Sequence, residues 1–253
     1  MHGRRSVRLV AVTLLVVGGA LSPAFAPADS SRAVPFVFIG TAEQCGGVAG
    51  SHIVTSAWLG GMGLPDNGGP NGVPATADDP HRGVLLNKNG PTTDCSSAGL
   101  IITGVPKTIT ELDFDYRNGT HCGAGAPRFN IETKDGFTYF AGCADGVHTP
   151  ATQDPAQWTH VSFSAAGGLV APQNATNPPF VFGVTEVKRL SIVYDEGTDT
   201  VGTEDPNGVG LSNIDNISVN STVITSGSGI ADGTQGRGAK HEDGSDDDHG
   251  KDD

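Results

Sequence analysis

The sequence predicts an all-β sandwich of two antiparallel sheets, and three observations predict it. Apolar and polar residues alternate with a period of two along several short runs, which puts one set of side chains on each face of a strand. Thr, Val, Ile and Phe dominate those runs, and no window keeps a helical period. Glycine accounts for 37 of 253 residues, about twice its usual share of roughly 7%, and gathers between the runs, where turns need it. About ten short strands with turn chemistry between them read as a sandwich.

Residues 1–28 read as a signal peptide. Arg4, Arg5 and Arg8 precede an apolar run of 13 residues, 9–21, which is shorter than the roughly 20 residues that span a bilayer. Small residues around Ala26 and Ala28 then offer a cleavage site. The remainder divides into a β-sandwich domain, 29–225, and an acidic tail, 226–253. The tail has no aromatic residue and one isoleucine, too little apolar surface to order itself.

Within the domain, residues 29–34 form a leader, and strands are predicted over 35–40 and 52–58. The segment 60–80 is rich in Gly and Pro and reads as a long surface loop. Strands follow over 83–88, 98–104 and 108–117. In the last of these, Leu112, Phe114 and Tyr116 share one face and Glu111, Asp113 and Asp115 the other. Residues 128–133 and 137–143 form the strongest hairpin, turning at Lys134-Asp135-Gly136. Further strands are expected over 158–164, 180–183, 186–194, 211–220 and 222–225, with loops over 172–179 and 195–208.

Cys45, Cys95, Cys122 and Cys143 are an even set in an exported chain, which implies disulfides. Three pairings are possible. Cys122–Cys143 is favoured because the two flank one hairpin, leaving Cys45–Cys95. The alternative is a metal site of Cys122, Cys143, His121 and His148, whose spacing fits no tight Cys-x-x-Cys pair. The net charge is −13, and losing the three leader arginines makes it −16. No basic cluster follows Arg8, so nucleic acid and anionic membrane surfaces are excluded as expected partners, and no later run is long enough to insert into a membrane.

Three groups carry the candidate chemistry. The row Glu111-x-Asp113-x-Asp115 is the only series of carboxylates at strand spacing, although alternation alone also produces it as a solvated face. Asp215 falls by parity on the inward face with Ile217 and Val219, and an inward carboxylate must be paired, hydrogen-bonded or metal-bound. Trp58, beside the glycine-rich loop, is the candidate exposed platform for a sugar, whereas Trp158 reads as core. No G-x-S-x-G, H-E-x-x-H or phosphate-loop motif is present, and the histidines are scattered.

The carboxylate row resembles the E-x-D-x-E strand motif of the jelly-roll β-glucanases. The resemblance implies Glu111 as nucleophile and Asp113 as its helper, with Asp115 where the motif has its acid/base glutamate. Positions four apart on a strand are separated by about 13 Å at Cα, whereas retaining chemistry needs carboxyl groups about 5 Å apart. The segment Ile214-Asp215-Asn216-Ile217-Ser218-Val219 resembles the closing strand of jelly rolls like carbohydrate-binding modules. That resemblance implies a structural Ca2+ site at Asp215, completed by an early acidic residue, here Glu43. Asp195 and its acidic neighbours add hard oxygen ligands.

Residues 87–91 (NKNGP), 115–119 (DYRNG), 122–130 (CGAGAPRFN) and 214–217 (IDNI) resemble exported bacterial jelly-roll proteins of unassigned function. The resemblance spans most of 35–225 and implies a jelly-roll, galactose-binding-like sandwich outside the cell. The functional expectation is therefore a secreted, non-catalytic protein that binds a glycan or a cell-surface partner, with structural calcium. A glycoside hydrolase centred on Glu111 and Asp115 is the second expectation, and an envelope protein with no small ligand is the third.

Overall fold

A computed structural model describes residues 31–66, 80–201, 205 and 208–233. The expected signal peptide, most of the glycine-rich loop and the tail beyond 233 lie outside the described residues. The strands are β1 (Arg32–Ile39), β2 (Val54–Leu59), β3 (Gly83–Lys88), β4 (Ser96–Thr103), β5 (Glu111–Arg117), β6 (Arg128–Thr133) and β7 (Thr138–Gly142). They continue with β8 (Val147–Pro150), β9 (Trp158–Ser164), β10 (Ala171–Pro172), β11 (Val187–Tyr194), β12 (Leu211–Val219), β13 (Thr222–Ile224) and β14 (Ile230–Asp232). One sheet has the order β1-β4-β11-β6-β7-β10 and the other β14-β2-β3-β12-β5-β9-β8, with β13 also paired to β12. The two antiparallel sheets form a β-sandwich, as the sequence predicts.

Alternation along the strands builds the interior. Leu112, Phe114 and Tyr116 of β5, Phe129 and Ile131 of β6, Val161 and Phe163 of β9, and Leu190, Ile192 and Tyr194 of β11 are all fully buried. The two inner faces interlock: Phe114 of one sheet lies 5.6 Å from Phe129 of the other, and Phe129 meets Phe163 edge-on at 6.2 Å. Such rings are the largest contributors to a core, each burying about 150–250 Å².

Three expectations change here. Residues 180–183 are not a strand. Phe180 and Phe182 stack edge-on with each other, and Phe180 with Tyr139, at the turn before β11. The ordered fold also runs beyond residue 225: β14 pairs with β2, with Ala231 opposite Ser56. Backbone hydrogen bonding alone builds that strand, so it needs none of the apolar residues the segment lacks. Trp58, expected as an exposed sugar platform, is 2% exposed. Its indole N–H donates to the Ala33 carbonyl at 2.8 Å and its ring is covered by Gly227, so it is a core residue.

Both expected disulfides are present, Cys45–Cys95 and Cys122–Cys143. The alternative metal tetrad is thereby removed, because both of its thiols are oxidised, and the His148 ring contacts the Cys143 carbonyl. Cys122–Cys143 closes a sequence separation of 21 residues, which restricts the unfolded chain by about 3 kcal/mol. Replacing both cysteines with alanine should lower the unfolding free energy by that amount in urea titration. A loss below about 1 kcal/mol would show that this bridge adds little to the hairpin.

Among the described residues two basic side chains have no exposed surface. Lys88 is fully buried, and its ammonium donates to the carbonyls of Thr92, Asp94 and Asp195 at 3.0, 2.6 and 2.9 Å. All three donors of the group are thus engaged. His121, also fully buried, contacts Glu196 through Nε2 at 2.6 Å and Asp205 through Nδ1 at 3.1 Å.

Candidate functional site

The same alternation that buries Leu112, Phe114 and Tyr116 turns Glu111, Asp113 and Asp115 to the outer face of the larger sheet. Register then adds their neighbours. β9 places His160 directly opposite Asp115 and Ser162 opposite Asp113. β12 places Asp215 opposite Asp115 and Ser218 opposite Asp113, skipping two residues between them. That skip is a β-bulge at Asn216 and Ile217, with Asn216 at φ 46°, a left-handed conformation that asparagine tolerates better than most residues. The bulge swings the Asn216 amide over β5, where its Nδ2 donates to Asp115 Oδ2 at 2.8 Å and to Gln153 Oε1 at 2.7 Å.

The result is a groove of about 470 Å³ floored by Asp113, Asp115 and His160 and rimmed by Glu111, Gln153 and Asn220. Asp113 and Asp115 are each 5% exposed, so the expected solvated face is in fact covered. His160 stands between them, with Nδ1 2.8 Å from Asp115 Oδ1 and Nε2 3.6 Å from Asp113 Oδ1. Asp113 and Asp115 together raise its pKa to about 10 against the effect of burial, so the ring is an imidazolium at neutral pH. Its contribution to stability is complete below pH about 6.5, the unfolded value, and is lost as pH rises through about 10.

Asp215 lies on this outer face too, not on the inward face expected from parity, because the bulge ends the strict alternation. It is nevertheless 1% exposed. The 63–66 segment closes over it: the Leu64 N–H donates to Oδ2 and the Asn216 N–H to Oδ1, both at 2.7 Å. Gly63 permits this approach, since a Cβ there would meet the Asp215 carboxylate and the Arg82 carbonyl. Leu64 then packs with Ala151 and Trp158 in a small apolar cluster. Trp158 shares the face of His160, so it is buried on the outer side of the sheet. Burial pushes the Asp215 pKa up to about 8; the two N–H donors oppose this, and the negative charges of Asp66 and Asp115 add to it.

The expected calcium ligands are not brought together. Glu43 is exposed in the turn after β1. Asp195 is engaged by the Arg128 guanidinium through two hydrogen bonds of 2.6 and 2.8 Å. Asp215 has the separate partners just described. Among the described residues no group of three or more His, Cys, Asp or Glu side chains is arranged to hold a metal ion. The carboxylate row, in contrast, does share one groove. Sequence reasoning missed His160, Asn216 and Gln153. The one signal available was that His160 alternates with Val161 and so faces away from the core. Compared with protein-family models, with curated proteins and with solved structures, the chain matches none.

Proposed function

We propose that the protein is exported and non-catalytic, and that it binds a glycan in the groove between β5, β9 and β12, as carbohydrate-binding modules of the kind it resembles do. The observation that carries this reading is the lining of the groove. Glu111, Asp113, Asp115, Gln153, Asn216 and Asn220 all end in planar two-atom groups, which suit the paired hydroxyls of a sugar. Asp115, Asn216 and Gln153 are linked by hydrogen bonds of their own and Asn220 is held by the Thr108 carbonyl, so little side-chain freedom is lost at these positions on binding. The two disulfides fit an oxidising compartment.

Hydrolysis is the weaker reading because Asp113 and Asp115 both face the His160 imidazolium. Both carboxylates are thereby tied to a partner inside the protein. Calcium has no part in this reading, since Glu43, Asp195 and Asp215 have separate surroundings.

Calorimetric titration with a panel of soluble oligosaccharides tests the proposal. At least one class should bind, and Gln153→Ala, which releases the Asn216 amide and the Pro65 carbonyl that Gln153 holds at the groove, should weaken it about tenfold. Binding by no saccharide, or equal binding by the variant, would remove the glycan reading. Release of reducing ends by the wild type, abolished in Glu111→Gln, would replace it with the hydrolase.

A further inference from the structure

We infer that the glycan taken by this groove is an amino sugar with free, protonated amines, a de-N-acetylated rather than a neutral or acidic polymer. The inference rests on the glycan reading and deepens it. Its basis is an imbalance between donors and acceptors in the groove.

Four of the side-chain donors at the groove each make a contact within the protein, although Gln153 and Asn220 keep one N–H apiece. Gln153 Nε2 donates to the Pro65 carbonyl at 2.8 Å, and both contacts of Asn216 Nδ2 are made within the protein. Asn220 Nδ2 donates to the Thr108 carbonyl at 3.3 Å, and Ser218 Oγ to the Asn220 carbonyl at 3.1 Å. Three of the acceptors are less well supplied. The Glu111 carboxylate makes no hydrogen bond or ion pair among the described residues, and it is exposed on the rim. Asp113 lines the cavity at 5% exposure, and its Oδ1 has only the His160 imidazolium, at 3.6 Å, which is beyond hydrogen-bond distance. Asn216 Oδ1 is likewise buried and without a hydrogen bond.

A buried acceptor without a donor costs about 1–3 kcal/mol, so a ligand rich in donors and poor in acceptors is favoured. Charge gives the same answer. Three carboxylates, Glu111, Asp113 and Asp115, share the groove with one imidazolium, His160, and no lysine or arginine lines it among the described residues. A uronic acid or sulfated sugar would be repelled. An ammonium carries three donors and no acceptor.

The test is titration of the full chain, at mildly acidic pH where sugar amines are protonated, with chitosan, chitin and cello-oligosaccharides of equal length. Chitosan oligosaccharides should bind at least tenfold more tightly than either of the others. Glu111→Gln should reduce that preference about tenfold, and Ser221→Lys, which places an ammonium of the protein's own at the rim, should abolish it.

Equal affinity for all three sugars would overturn the amine assignment and leave the glycan reading standing. Binding of none would overturn both. Unchanged chitosan binding by both variants would place the contact on the acidic tail and overturn the groove. A melting temperature raised by calcium chloride in the wild type but not in Glu111→Gln would overturn the amine in favour of a metal ion.

Discussion

Replacing His121 with alanine should cost the fold about 4 kcal/mol, the usual effect of removing one partner from a buried ion pair. The ring is fully buried between Glu196 and Asp205, whose side chains are 18% and 1% exposed. It also meets Tyr194 edge-on at 5.8 Å. Burial lowers its pKa, but the hydrogen bonds to Glu196 and then Asp205 outweigh it, and the net shift is upward. The charged ring therefore contributes fully below pH about 6.5, and its contribution declines as pH rises through the raised value.

Without the ring, two carboxylates would face each other with no cation between them. The Asp205 side chain also accepts the Val209 N–H, so the strain would pass into the segment leading to β12. Urea titration at pH 6 measures the cost. In a Glu196→Gln, Asp205→Asn background the same substitution should cost much less, because no like charges are left to repel. Equal costs in the two backgrounds would show that His121 acts by packing alone.

The second large effect is a pH dependence centred on Asp215. Its pKa is about 8 in the fold and 3.8 as an ordinary aspartate. Between those values the folded chain keeps a proton that the unfolded chain releases, so stability falls as pH rises. The loss from this one group is about 4 kcal/mol between pH 4 and pH 7, at about 1.4 kcal/mol per unit. The variant Asp215→Asn carries an amide there, which does not titrate. Subtracting its stability from that of the wild type at each pH isolates the effect, and the difference should fall steadily across that range. A flat difference would mean that Asp215 is ionised in the fold.

The sequence made most of the strands legible because alternation is a local property. β5, β6, β9 and β11 each carry two or three apolar residues in step, and the core is made of those residues. The Cys122–Cys143 pair was readable for the same reason, as its partners flank one hairpin. What depended on partners distant in the chain was not readable. The four residues of β8 are all exposed, and β10 has only two, so neither carries a pattern. β14 is held by its pairing to β2, about 170 residues away in sequence. Phe180 and Phe182 have strand-like composition but pack through their rings alone.

The candidate site divides in the same way. The parity of Glu111, Asp113 and Asp115 was visible. Their burial was not, because the covering groups come from β9, from the bulge in β12 and from the 151–157 segment. Asp215 was misplaced by a single bulge, since one shift of register exchanges the faces of a strand. Trp58 was misread because its cover comes from Ala33 and Gly227, at the two ends of the domain.

The order of strands in the two sheets bears on how copies of the protein meet. A sandwich, unlike a closed barrel, ends in open edges, and an open edge is a template on which another chain can add a strand. Here the four edges are β1, β10, β14 and β8. β1 contains Pro35, β10 ends in Pro172 and β8 ends in Pro150, and proline has no N–H to offer an incoming strand. β14, the fourth, is three residues long and ends in Asp232. The fold thus guards each of these borders against edge-to-edge aggregation.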